Sequence, residues 1–347
     1  MNKIVNKALF YKEWINVQWV TLLIIIILLL CKFYGVITLF KYNTGELNNR
    51  WFNNGLYEMD IYYFVMVLVV IALAIILFKG EKTSETQGFI ASMPFTRKEI
   101  IFNKWFVGVV SIITSFVVIY IILSLIYIIN INNLNTTLNP YSDIIKWFFM
   151  DVLQYICIFT FMILIQVVMG NSIVAGIVGG IILWVPSFVV MVVQSVAGIY
   201  LRSFQNMYIL QDKIVGWINI YSYNIPYAAW VSPSVNNSRG AYRLIHYVNY
   251  KSKLLVLFIL ICLFLHLSYV AYKKRDLEYN LSLIVFDNLK PIFTWGFAFC
   301  LGILIGYIFL DNGGVMGLRE LGIIILIFTI IGYFIARLLV KMLSSGK

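Results

Sequence analysis

Eight apolar stretches of about 20 residues each constrain what this chain can fold into more than any other feature. A helix of about 20 residues crosses the roughly 30 Å hydrocarbon core of a bilayer, because each residue adds about 1.5 Å. Only 12% of the 347 residues are charged, about half the share found in an ordinary soluble domain. We therefore predict an all-α, polytopic membrane protein with about eight transmembrane helices. The stretches run approximately over Val17–Phe40, Ile61–Phe78, Trp105–Ile129, Trp147–Met169, Ser172–Val196, Lys253–Tyr272, Ile292–Leu310 and Leu321–Val340.

The same composition excludes several other classes of protein. A disordered chain needs low hydrophobicity and high charge, whereas 62% of these residues are apolar or aromatic. The four cysteines lie in apolar stretches, which argues against a disulfide-stabilised secreted domain. A net charge of +11 would suit nucleic acid if the basic residues formed one stripe, but they are gathered in short segments between the apolar stretches. This distribution indicates membrane topology.

The basic residues also predict the orientation of the chain. With both termini inside, the internal segments hold fifteen Lys and Arg residues, whereas the short external loops hold four. Cytoplasmic loops of membrane proteins carry such an excess of positive charge. We therefore expect both termini to be cytoplasmic, in a multi-pass protein of a cell membrane, of bacterial origin.

The predicted spans divide the chain into three parts. Residues 1–16 are predicted to form a cytoplasmic interfacial helix, residues 17–272 a six-span core, and residues 273–347 two additional spans with a cytoplasmic tail. The core includes one large extracytoplasmic segment, residues 197–252. We expect this segment to form an interfacial helix and then an irregular loop around Pro226.

The internal segment between the second and third stretches has the clearest local pattern. Ser84, with Gln87 three residues later, predicts the start of a short helix. Pro94 ends it, because the residue before a proline is displaced from the α-helical region. Thr96 and Glu99 form a second capping box, from which another helix can run unbroken into the third span. The prediction is a helix, a proline elbow and a second helix.

The short helix is predicted to be amphipathic. Such a helix can lie in the plane of the lipid headgroups, or it can offer its apolar face to a groove of a soluble partner. Glu81 and Glu85 favour the partner, because acidic side chains are poorly suited to anionic lipid. Both interpretations remain open at this point. The face is formed by residues at i, i+3, i+4 and i+7, namely Thr86, Phe89, Ile90 and Met93.

This segment resembles the membrane subunit of type-2 ABC exporters. In that family an acidic residue, a short helix and a Leu-Pro-Val-Ser/Thr-Arg-x-Glu-Ile-x-x-x-Lys stretch join the second and third spans. Here the stretch reads Met93-Pro-Phe-Thr-Arg-Lys-Glu-Ile, followed by Lys104. The opening Leu9-Phe-Tyr-Lys-Glu-Trp14 also resembles the family's interfacial N-terminal helix, although Lys12 interrupts its apolar stripe. The resemblance covers roughly Met1 to Tyr272, so the last two spans depart from it.

The resemblance implies a role for each part of the segment. Residues 81–94 would hold a coupling helix that sits in a cleft of a cytoplasmic ABC ATPase subunit. Such permeases work as pairs, of identical or different chains, with two ATPase subunits that bind the ATP. The implied ATPase contacts are Glu81, Glu85, Thr86, Phe89, Ile90 and Met93. The residues implied to transmit force to the third span are Pro94, Thr96, Arg97, Glu99 and Lys104.

The chain shows no energy-supplying or catalytic motif of its own. A G-x-x-x-x-G-K-[ST] phosphate loop is absent from the sequence, and the two histidines form no metal-binding motif. We therefore expect a transport subunit without a catalytic, cofactor or metal site. The expected substrate is hydrophobic or amphipathic, such as a peptide, an antibiotic or a lipid-like molecule. A membrane scaffold or sensor that docks a cytoplasmic partner is the alternative function.

Two further features of the spans bear on mechanism. On the fifth span, Gly176 and Gly180 form a GxxxG pair, and Pro186 is expected to kink the helix. This pattern fits close helix packing, and more specifically a translocation path or a seam between two permeases that also includes Trp184. Charged residues within the spans are few, which disfavours ion coupling. Lys32 is expected to lie near the outer end of the first span and to extend its ammonium group to the membrane surface, that is, to snorkel. Asp151 is expected to lie about 6 Å inside the outer boundary of the fourth span.

Overall fold

The computed structural model describes residues 7–33, 36, 59–80, 82, 95–133, 136, 140–201, 213–231, 242–275, 283–312 and 317–344. Within these ranges, eight helices are long and apolar enough to cross a membrane. The prediction of an all-α polytopic membrane protein with about eight transmembrane helices is therefore confirmed. The helices are α1 (Lys7–Leu28), α2 (Met59–Lys79), α3 (Arg97–Ile129), α4 (Ser142–Val168), α5 (Ser172–Leu201), α6 (Tyr250–Lys274), α7 (Lys290–Asn312) and α8 (Leu318–Ser344).

Helix α1 begins ten residues before the apolar stretch that predicts it. Residues 7–16 form its first turns and continue directly into the span, since no glycine or proline interrupts them. At its far end α1 widens into a π-helical turn, Leu29–Phe33. The predicted interfacial helix and the first span are thus one continuous rod.

The segment between α5 and α6 contains two strands that the sequence analysis does not predict. Strands β1 (Tyr227–Val231) and β2 (Tyr242–His246) pair antiparallel, with Tyr227 opposite His246. The expectation of an irregular loop is wrong for these residues. Pro226 directly precedes β1, where its missing N–H group costs no hydrogen bond of the ladder.

The chain is divided into two compact units. Unit 1 comprises Met1–Leu77, Phe95–Phe161 and Tyr221–His266. Unit 2 comprises Phe78–Pro94, Met162–Ile220 and Leu267–Lys347. Helices α4 and α6 each contribute to both units.

Unit 1 is held together by close packing of α3 against α1 and α4. The Thr21 and Ser111 hydroxyl groups are 2.7 Å apart, and Ser115 donates to the Thr21 carbonyl at 3.1 Å. At Gly108 an added Cβ atom would overlap the Phe159 ring. Small and hydroxyl-bearing residues therefore bring these helices close together, as is common where lipid removes the hydrophobic drive for association.

Unit 2 contains α7 and α8 as a tightly packed pair. At Gly302 an added Cβ atom would lie 2.8 Å from the Ile325 carbonyl oxygen, which also accepts a hydrogen bond from Thr329. The chain entering α7 is fixed to the turn between α4 and α5, since the Val285 N–H donates to the Val168 carbonyl at 3.0 Å. The two additional spans are thereby part of a packed unit with α5.

The α7–α8 contact predicts opposite effects for two glycine substitutions on the same helix. Gly302→Ala should destabilise the protein, because overpacking typically costs about 1–3 kcal/mol. Gly296→Ala should stabilise it by about 0.5–1 kcal/mol, since nothing lies within 4 Å of the added methyl group and alanine loses less backbone entropy. Thermal unfolding of the purified chain in detergent compares the two variants. Equal shifts in the melting temperature would contradict the close approach at Gly302.

Candidate functional site

Most of the predicted coupling segment lies outside the described residues. This applies to Pro94 and to all the predicted ATPase contacts, so the coupling helix stays a prediction: the residues concerned are Glu81, Glu85, Thr86, Phe89, Ile90, Met93 and Pro94. The structure does describe the residues that flank this segment on either side. One is Lys82, which follows α2, and the other is the start of α3.

Helix α3 begins with the predicted capping box. The Thr96 hydroxyl accepts a hydrogen bond from the Glu99 N–H at 3.3 Å, and the Glu99 carboxylate accepts one from the Thr96 N–H at 2.8 Å. These bonds satisfy two donors that a helix start leaves free. From Arg97, which is exposed, α3 runs unbroken for 33 residues to Ile129. The predicted cap and the continuous helix are confirmed.

Lys104, two turns into α3, joins three helices. Its ammonium group donates to Glu13 Oε1 at 3.0 Å and also to the backbone carbonyl of Leu77. Glu13 belongs to α1, and Leu77 lies in the last turn of α2. The free carbonyl groups and the negative end of the helix dipole favour a cation at a helix C-terminus. One side chain therefore joins the N-terminal parts of α1 and α3 to the C-terminal end of α2.

The pair formed by Glu13 and Lys104 is buried, with 4% and 1% of each residue exposed. Burying two charges is costly, and their attraction offsets this cost only when the geometry is good. Removing one partner leaves an isolated buried charge. Glu13 is not among the residues predicted from the sequence, although a lone carboxylate among the basic residues before the first span was a usable signal. Its partner depends on how α1 packs against α3, which no local pattern encodes.

Lys82 is held within unit 2, on the other side of the undescribed segment. Its ammonium group donates to Gln166 Oε1 at 2.7 Å, and Gln166 Nε2 donates to the Ser172 carbonyl at 2.8 Å. Gln166 is fully buried, and the Lys82 ammonium also lies 5.7 Å from the centre of the Phe78 ring. Lys82 is thereby tied to α4 and to the first turn of α5. Neither Lys82 nor Gln166 is predicted as a functional residue from the sequence.

The predicted path or seam residues lie on α5. Gly176 is buried and Gly180 partly buried, whereas Trp184 and Pro186 are exposed: 44% of Trp184 is accessible. Pro186 lies inside a helix that continues from Ser172 to Leu201. The role of these four residues stays a prediction.

Gly179, which the GxxxG pattern does not include, is a close packing position on α5. An added Cβ atom there would lie 2.8 Å from the sulfur of Met162 on α4. The nearby Trp184 ring stacks on Phe188, with ring centres 5.1 Å apart. Gly179 therefore allows α5 to approach α4 closely.

Lys32 and Asp151 lie at the opposite ends of the unit 1 helices from Lys104. The Lys32 ammonium is 4.6 Å from the centre of the Tyr62 ring, and the Tyr62 hydroxyl donates to Asp151 Oδ2 at 2.6 Å. Asp151 is fully buried and Lys32 is 9% exposed. The prediction that Lys32 snorkels is wrong, because its ammonium group is enclosed among aromatic side chains of the same unit. In the described part of the chain, no group of three or more His, Cys, Asp or Glu side chains could hold a metal ion.

The Lys104 junction predicts a strongly non-additive pair of substitutions. Lys104→Met alone should destabilise the protein by about 3–5 kcal/mol, because it leaves Glu13 as an unpaired buried charge. Adding Glu13→Gln should recover most of this loss, since the uncompensated charge is gone. Denaturant or thermal unfolding of both single variants and the double variant measures the coupling. Additive effects would contradict the buried ion pair.

Comparison with known proteins gives one family. The family described as "ABC-2 family transporter protein" matches residues 8–277. Neither the curated proteins nor the solved structures provide a match. The matched range extends from the second residue of α1 past the end of α6, and it contains the capping box and the Lys104 junction. Since the match covers most of a chain with eight apolar helices, the protein is a multi-pass membrane permease of the ABC-2 transporter family.

Proposed function

We propose that this permease is the transmembrane subunit of an ATP-driven exporter that moves a hydrophobic or amphipathic substrate out of the cell. The observation that carries the proposal is the position of Lys104. It lies two turns from the start of α3 and holds both Glu13 of α1 and the end of α2. A displacement applied at the start of α3 therefore reaches three helices at once.

The displacement comes from a cytoplasmic ATPase subunit that binds the coupling helix. The apolar face around Phe89 and Met93 enters a cleft of the partner, and Pro94 directs the following residues back to the membrane. Thr96 and Glu99 keep the start of α3 helical, so the movement is not absorbed by fraying. Arg97 is exposed next to this cap and can contact the partner.

A second connection leads from the same segment to α4 and α5. Lys82 stands at its beginning and is hydrogen-bonded to Gln166, which in turn holds the first turn of α5. The segment from residue 83 to residue 94 is thus fixed at both ends to transmembrane helices. These two attachments support the proposal that the segment transmits movement from the ATPase to the transmembrane helices.

The ATPase supplies the free energy, and the permease supplies binding and geometry. ATP closes two ATPase subunits on each other and thereby shifts the equilibrium between conformations of the permease, which needs no cofactor of its own. Two permeases, identical or different, form the path, with Gly176, Gly180, Trp184 and Pro186 at the path or at the seam between them. Both termini lie in the cytoplasm.

The ATPase interface is tested by charge substitutions on the predicted short helix. Phe89→Asp or Met93→Asp should abolish co-purification of an ATPase subunit, because an unpaired carboxylate would be buried in the cleft. Ser92→Asp is the matched control, since it adds the same charge to the opposite face and should retain the partner. Loss of the partner in all three variants, or in none, would contradict the orientation of this helix. Failure of any chain with a phosphate-binding loop to co-purify would favour the membrane scaffold.

Coupling is tested with the Lys104→Met and Glu13→Gln double variant. We expect it to fold and to bind the ATPase, because no buried charge is left unpaired. Substrate-stimulated ATP hydrolysis should fall on the order of tenfold, since coupling free energies between sites are typically about 1–3 kcal/mol. The Thr114→Ala variant, which removes a hydroxyl group elsewhere on α3 that bonds only its own helix, serves as the control. Wild-type stimulation in the double variant would contradict the transmission route.

A further inference from the structure

A buried ammonium group lies against two tyrosine rings in unit 1. The Lys32 nitrogen is 4.6 Å from the centre of the Tyr62 ring and 5.9 Å from that of Tyr63. The two rings are 5.0 Å apart and meet edge to face, and both tyrosines are buried. Such an arrangement of aromatic rings attracts a cation through their π-electrons, and more strongly when water is excluded.

A carboxylate completes this environment. Tyr62 donates to Asp151 Oδ2 at 2.6 Å, and the Lys32, Asn224 and Trp147 side chains also face Asp151. Asp151 is fully buried, yet its second oxygen, Oδ1, accepts no hydrogen bond of good geometry from the described part of the chain. Lys32 thus occupies the aromatic side of the site, whereas the Asp151 carboxylate can accept a further hydrogen bond at Oδ1.

Two amide side chains also have a buried oxygen without a donor among the described residues: Asn224, which faces Asp151, and Gln154, which lies one turn after Asp151 on α4. Gln154 Nε2 donates to the Tyr221 carbonyl at 3.1 Å, and Asn224 Nδ2 donates to the Tyr155 hydroxyl at 3.2 Å. Both amide nitrogens are engaged, which fixes the amide orientations. Both amide oxygens are buried and have no donor within the residues that the structure describes. Trp147 brings one N–H donor to Asp151, whereas the buried amide oxygens of Gln154 and Asn224 are left as hydrogen-bond acceptors.

Unfilled buried acceptors are rare because they lose their water without replacement. A primary ammonium group matches such a site well, since it carries three donors, no acceptor and one positive charge. A neutral apolar group would leave the acceptors unfilled, and an anion would be repelled by Asp151. The chemistry of the site thus selects a cation with N–H donors.

We propose that Tyr62, Tyr63, Asp151, Gln154 and Asn224 form a binding site for the primary ammonium group of an amphipathic substrate. Lys32 of the same chain fills the aromatic part of this site when the substrate is absent. The identification of the bound molecule as a transported substrate rests on the proposed function, but binding itself needs neither ATP nor a partner. The ammonium group can belong to a lysine-containing peptide or to an aminolipid headgroup.

The backbone around Lys32 allows its side chain to leave the site when a substrate binds. Lys32 belongs to the π-helical turn Leu29–Phe33 at the end of α1, and such local departures from α-helix occur frequently at functional sites. Asn224, which faces Asp151, lies in a turn, and its carbonyl accepts a hydrogen bond from the Tyr63 hydroxyl at 3.1 Å. Residues on both sides of the site thus lie outside regular α-helix, where small backbone shifts are least costly.

The test is equilibrium binding of dodecylamine to the purified full chain in nonionic detergent. Dodecanol has the same chain without the charge, and dodecyltrimethylammonium has the charge without N–H donors. We expect dodecylamine to bind tightest. Lys32→Met should tighten its binding by about tenfold, because the competing group is removed. Asp151→Asn should weaken it by at least about tenfold, because the site loses its charge.

Lys253→Met is the matched control, because Lys253 is another buried lysine that lies 4.8 Å from a tyrosine ring, that of Tyr223, in the same unit. We expect it to leave dodecylamine binding unchanged. Equal binding of dodecylamine and dodecanol to the wild-type chain would overturn the proposal without any variant, as would unchanged or weaker binding to a folded Lys32→Met protein. Ordered water at the site would give this result, since it shows no preference for an ammonium group.

Competition identifies the source of the ammonium group. Displacement of dodecylamine by a lysine-containing amphipathic peptide would indicate a peptide, and displacement by phosphatidylethanolamine in mixed micelles would indicate a lipid. Displacement by neither would overturn the assignment to a substrate. Because no ATPase is present in these measurements, their failure is independent of the failure of the ATPase interface.

Discussion

The buried ion pair between Lys104 and Glu13 is the constraint on which the proposed mechanism of this permease depends. Two charges removed from water are tolerated only when each has its partner in place, which fixes the register of α1 against α3. The same ammonium group binds the last turn of α2, so the three helices share one junction. Because this junction lies two turns from the capped start of α3, a short helical connection joins the end of the predicted coupling segment to the membrane helices.

A second junction of charged and aromatic groups lies near the opposite end of α1. Glu13 and Lys32 are 19 residues apart, which corresponds to about 28 Å of helix and nearly matches the hydrocarbon core of a bilayer. Between them, α1 meets α3 through the Thr21 and Ser111 hydroxyl groups and other small residues. Strong polar contacts therefore lie near both ends of α1, with a close but weakly bonded interface between them. Such an arrangement allows the end near Lys32 to open while the Lys104 junction holds.

The sequence alone predicts the features that depend on local chemistry. The eight spans follow from length and apolarity, and the cap of α3 follows from Thr96 and Glu99, which are three residues apart. The partners of Glu13 and Lys82 could not be predicted, because each lies tens of residues away and is brought near only by helix packing. The sequence does not predict the strands β1 and β2 for a related reason: each strand is stabilised by hydrogen bonds to the other, which lies about ten residues away in the chain. The sequence predicts Lys32 at the membrane surface, because snorkelling assumes a lipid-exposed helix, whereas in the structure its ammonium group lies against the Tyr62 ring.

The most direct test of the central claim is the distance between α1 and α3 at the Lys104 junction during the ATP cycle. Spin labels at Lys12→Cys and Lys98→Cys, two exposed positions near the junction, report this distance after the native cysteines are replaced by alanine. If Lys104 joins the helices, the distance in the proposed permease–ATPase complex should change by no more than about 2 Å between nucleotide-free and ATP-bound states. A change of about 5 Å or more, which corresponds to one helical turn of sliding, would contradict the account.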